Sequence, residues 1–159
     1  MGTPIDLSTA GVHLKYAIEA TAGERPTAAA DYTDLPGVKS TPSLNPAPDA
    51  LDATTLNNTQ YKTYVEGLKD LGGSMEFTFN LTQELLDTWD DLMTAFTAAK
   101  AAGKLAWFLI DIPGLTEGFY FRGSPASAGL PAIEVNQVLE TTMYITPNGE
   151  PVMAAKPSV

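Results

Sequence analysis

Apolar and polar residues alternate most regularly between Gly73 and Thr82. Met75, Phe77, Phe79 and Leu81 fall on one side of an extended chain, and Ser74, Glu76, Thr78 and Asn80 on the other. A period of two predicts a half-buried strand. The same period over 12–19 sets Val12, Leu14, Tyr16 and Ile18 against His13, Lys15, Ala17 and Glu19, and predicts another. After Thr82 the period changes: Leu85, Leu86, Trp89, Leu92, Met93 and Phe96 recur at three and four, opposite Glu84, Asp87 and Asp91. Thr82 suits the N-cap, Glu84 the first turn and Gly103 the C-terminal end, so one amphipathic helix is expected between them.

Residues 104–112 are apolar almost throughout, as in a strand covered on both faces or packed beneath the helix. Pro113 and Gly114 break the run, and 118–123 returns as the second half of a hairpin. The final alternation sets Ile133, Val135, Gln137, Leu139, Thr141, Met143 and Ile145 against Glu134, Asn136, Val138, Glu140, Thr142 and Tyr144. It predicts a strand over 133–145, long for a globular domain. A short strand near 31–38 aside, the Pro-rich region 21–60 reads as a long loop, and stretches of that kind are usually functional or disordered. Residues 1–11 read as an N-terminal arm. Residues 147–159 read as a tail that opens on an Asn148-Gly149 turn signal. The expected fold class is mostly β (α+β) with one α-helix and a long loop, in a single domain spanning 1–159.

Composition narrows the chemistry. With 44% apolar and 18% charged residues the chain is expected to fold. Nine Lys and Arg against 19 Asp and Glu give a formal net charge of -10, which disfavours binding to nucleic acid or to an anionic membrane. There is no cysteine, hence no disulfide or thiolate site, and a reducing cytoplasm is compatible with that. No leader-like segment, bilayer-length apolar run or myristoylation pattern is expected to bring the chain to a membrane.

His13 is the single histidine, so any histidine-based triad or metal pair would run through it, and a surface or interface position is the simpler expectation. Asp87, Asp90 and Asp91 could serve as an acid/base pair but belong to the helix's solvated side. Asp31, Asp34, Asp49 and Asp52 lack calcium-loop spacing, and no glycine-rich phosphate loop occurs. Asn57-Asn58-Thr59 and Asn80-Leu81-Thr82 match the glycosylation sequon by chance. Trp89, Trp107, Phe108, Phe119, Tyr120 and Phe121 could form a sugar platform, but their spacing favours core positions. No catalytic, cofactor or metal site is expected, and no enzyme.

One region goes further. The stretch Gly23-Glu24-Arg25-Pro26-Thr27, followed by YTDLPGVKSTPSLNPAPDALDATTLNNTQYKTYVEGLKDLGG over 32–73, resembles the major tail tube proteins of long-tailed bacteriophages (siphophages). In that family a PGVKSxPxLNPxPxxLxxTxL segment precedes a YxxYxxGLKDxGG segment, and the TxxxxPxGEP of 142–151 is similar to the family's end. The resemblance implies a tail-tube fold, a β-sandwich or barrel with one flanking α-helix, whose copies form hexameric rings stacked into a hollow tube that conducts DNA without binding it. It implies as partners a tape measure protein, a tail terminator and distal tail or baseplate proteins, and assembly into a virion tail after synthesis in the host bacterial cytoplasm.

Within that picture the long loop becomes an assembly device with Pro36, Leu44, Pro46, Leu51, Leu56 and Tyr61 as its residues, since a loop of this length can order against a neighbouring copy. The polar strand positions Glu76, Thr78, Asn80, Glu134, Asn136 and Glu140 become candidates for the channel wall, where repeated carboxylates would keep DNA from sticking. A tube subunit of a contractile tail or injection machine would share the fold. From different classes, a monomeric glycan-binding or adhesion module would also be β-rich, and a hydrolase lacks its site constellation.

Overall fold

The structure, a computed structural model, describes residues 11–42, 48–52, 54–55, 64–69, 74–128, 133, 135–149 and 151–157. The strongest local signals form the elements they predict. Thr82 has extended backbone, and its Oγ1 accepts the Leu85 N–H at 3.1 Å, opening helix α1 (Gln83–Ala101). Gly103 closes the helix at φ +76°, where a side chain would be strained. Leu85, Trp89, Leu92, Phe96 and Ala99 are its buried stripe, while Glu84, Asp87 and Asp91 face solvent.

Strands β1 (His13–Ile18), β6 (Met75–Asn80), β7 (Ala106–Asp111) and β8 (Glu117–Pro125) follow the predicted runs. Five of the six β7 residues are buried, because its two faces serve two cores. Phe108 stacks on Phe121 at 5.2 Å on the helix side, and Phe121 on Phe77 at 5.7 Å. On the other side Trp107, Leu109 and Tyr120 form a smaller cluster with Tyr32 and Ala154 against it. The aromatic residues thus serve mainly as core: Trp89, Trp107, Phe108, Tyr120 and Phe121 are all buried.

All the pairings are antiparallel, in the order β2-β1-β7-β8-β9-β6-β3, with β10 also on β8. Here β2 is Thr33–Leu35, β3 is Val38–Ser40, β9 is Glu140–Pro147 and β10 is Val152–Ala155. Seven strands in that order imply an even number of reversals, so β2 and β3 run in the same direction. They are also consecutive in the chain, separated only by Pro36-Gly37. One kinked segment therefore borders β1 before the kink and β6 after it, and the sheet curls until its two edges meet at a single corner. Gly37 holds the corner at φ +80°, and its carbonyl accepts the Asn80 N–H at 2.8 Å.

Three expectations are corrected. The short strand expected near 31–38 forms as β2, but the rest of 21–60 is not one loop: it also contains a 3-10 turn (Ala29–Asp31), β3 and β4 (Pro48–Asp52). The strand predicted over 133–145 starts only at Glu140. Residues 135–137 turn, Asn136 takes φ +62°, and Ile133, Val135 and Leu139 are exposed, not core. The tail does not reverse at Asn148-Gly149. Pro147 pairs with Gly123 and Val152 with Tyr120, so β9 and β10 follow β8 in one direction. Four residues separate the two pairs on one side and two on the other, a mismatch of the size a β-bulge absorbs.

Candidate functional site

The period of two sends alternate residues of β6 and β9 to opposite faces. Met75, Phe77, Phe79, Met143 and Ile145 enter the core beneath α1. The other face is polar and continuous, because register places its residues side by side: Glu76 beside Tyr144, Thr78 beside Thr142, Asn80 beside Glu140. Ser74 and Thr146 extend it through hydroxyls 3.2 Å apart. At the far end the Lys39 ammonium, from β3, contacts the Glu140 carboxylate and offsets its charge. The Asn80 side-chain oxygen is buried without a hydrogen-bond partner.

The same side of the sheet is covered elsewhere. Over β7 and β8 the Arg25 guanidinium lies 4.2 Å above the Tyr120 ring. Tyr32 packs edge-on against that ring at 6.0 Å and donates to the Pro26 carbonyl. Burial raises both phenols above the ordinary tyrosine range. Tyr120 in turn donates to the Ala155 carbonyl at 2.8 Å, which ties down β10. Segment 25–32 thus caps one half of this face, and the β6–β9 half stays open.

Beside the cap lies a buried ion pair. Burial alone would raise the Glu19 pKa, but Arg122 binds both carboxylate oxygens at 3.0 Å, and the Leu105 N–H, the Trp107 indole and the Gly23 backbone also donate. The net effect holds the carboxyl below its ordinary value. Alternation placed Glu19 on the wetter side of β1, and nothing local pointed to a partner 103 positions away.

The predicted assembly residues divide. Pro36 sits at the corner between β2 and β3. Leu51 stands 54% exposed on β4, which among the described residues pairs only with β5 (Tyr64–Lys69), as a two-stranded ribbon separate from the main sheet. Leu44, Pro46, Leu56 and Tyr61 lie outside the described residues. Of the predicted channel residues, Glu76, Thr78, Asn80 and Glu140 share the open face. Asn136 belongs to a turn, not to the strand face it was assigned to, and Glu134 lies outside the described residues. Lys39, which completes the face, could not be found from sequence, because its partner is 101 residues away.

No family model matches this sequence, and no curated protein does. Among solved structures, a chain of the 6-fold symmetrised cryo-EM structure of the anti-feeding prophage (AFP) baseplate superposes with a TM-score of 0.61. The match covers 98% of each chain at 11% identity. The two chains share one fold. That likeness covers nearly the whole chain, and so the mostly β architecture with its helix as one unit.

Proposed function

We infer that this chain is a structural subunit of a bacteriophage tail tube, self-assembling into hexameric rings that stack around a DNA-conducting channel. The observation that carries the reading is the open polar face of β6 and β9. It is continuous and backed by a packed core, while the neighbouring half of the same sheet side is capped by the chain itself. Facing inward in a closed ring, it would present hydroxyls, Glu76 and the Lys39–Glu140 pair to passing DNA without a cationic patch to hold it. The 6-fold symmetry of the assembly containing its structural neighbour supports a ring of six. The reading assigns no catalytic role, and it keeps the tape measure, terminator and distal tail proteins as partners at the tube's core and ends.

The β4–β5 ribbon supplies the second surface. A two-stranded ribbon is marginal in water by itself, and Leu51 on it is exposed, so it gains from ordering against a neighbouring copy. Negative-stain microscopy of the concentrated protein tests the reading, with tubes as the expected result. Deleting 42–53, which removes β4, is expected to leave a folded, soluble monomer without tubes, and normal polymerisation of that deletion would sink the assembly role. The channel assignment has its own test: Glu76→Lys with Thr78→Lys should leave tubes intact while DNA passage fails in a salt-sensitive way. Normal infectivity of that variant would place the face elsewhere.

A second reading is favoured by the neighbour's place in a baseplate: a ring in an injection machine or contractile tail rather than a repeating tube. Discrete rings that do not lengthen with concentration would select it.

A further inference from the structure

The chain's formal charge of -10 makes copies repel one another, and a contact that sets cations against carboxylates would offset that repulsion. Among the described side chains most cations are already engaged. Lys15 and Lys156 meet Asp111, Lys39 meets Glu140, Arg122 meets Glu19, and Arg25 lies over Tyr120. Lys100 and Lys104, at the C-terminal end of α1, have no ion pair among the described residues.

The opposite charge stands toward the helix's other end. There Leu86, Asp87, Asp90 and Met93 of α1, with Ala128 after β8, border a groove of about 400 Å³ floored by Trp89. The helix dipole favours Glu84 in the first turn and Lys100 in the last, but its influence fades within a turn and does not reach Asp90. At 1.5 Å per residue the two charge groups are about 17 Å apart along the axis, beyond a lysine's reach within one copy.

We propose that Lys100 and Lys104 of one copy dock in the Asp87–Asp90 groove of the next. The aliphatic stem of a lysine lies along Leu86 and Met93 and its ammonium meets the carboxylates. Such a contact joins two different patches, the kind that closes into a ring or continues as a filament. It rests on the self-assembling subunit reading, and names which surfaces meet.

Charge reversal tests it. Lys100→Glu with Lys104→Glu, and separately Asp87→Lys with Asp90→Lys, should each raise the protein concentration needed for assembly about tenfold at low salt. An equimolar mixture of the two should restore it, because alternating copies recover attraction at every contact. Thermal unfolding of each variant controls for folding, and the single reversals K100E and D90K repeat the test should a double variant not fold. A wild type that stays monomeric overturns the subunit reading and this contact together. A wild type that assembles, with reversed variants at the same threshold or a mixture that fails to recover, overturns this contact alone.

Discussion

Replacing Glu19 with alanine is expected to lower the unfolding free energy by about 3–5 kcal/mol, as when one partner of a buried ion pair is removed. The Glu19 side chain is wholly buried, and its two oxygens satisfy Arg122, the Leu105 N–H and the Trp107 indole. Alanine leaves all of these donors short of an acceptor, and a mostly buried guanidinium without its counter-ion. Glu19→Gln keeps the shape and one acceptor and should cost less. The pH dependence has a definite sign. The folded pKa lies below the ordinary value of 4.5, so the stabilisation is fully present above that pH and is lost as pH falls through the folded value. Wild type should therefore lose stability more steeply below pH 4.5 than Glu19→Gln in urea titrations, and parallel curves would refute the assignment.

Trp89→Ala is expected to cost a similar amount, about 3–5 kcal/mol, through the cavity it leaves. The side chain is 1% exposed, meets Phe79 edge-on at 6.3 Å and donates from its indole to the Ala126 carbonyl at 2.9 Å. It joins α1, β6 and the end of β8, so its loss should melt the isolated subunit at a lower temperature whether or not copies are assembled. Unchanged melting with lost assembly would instead mean that the helix's apolar stripe serves a contact between copies.

What could be read in advance was what local chemistry encodes. The helix combined a cap, a spacing of three and four and a glycine end. The strand at 75–80 had clean alternation, and the 106–111 run was apolar on both faces because both faces are covered. Strands of three to five residues, such as β3 and β4, are too short to show a period, and β10 is four residues with two alanines. The alternation over 133–139 was misleading: its polarity pattern is strand-like, but the Asn136 backbone turns there. Of the candidate site, the polar stripe of β6 was legible. That Glu76 stands beside Tyr144 and Glu140 meets Lys39 depends on register between distant segments, which no local pattern carries.

The kinked segment formed by β2 and β3 has a consequence for solubility. At high concentration any β-rich protein risks growing into amyloid wherever a sheet ends in a long unpaired strand. Here both outermost strands of the main sheet are three residues long and belong to one bent stretch of chain, with a proline and a glycine at the bend. Another copy finds no long, flat ladder to extend at that corner, so these two edges offer little template for cross-β growth.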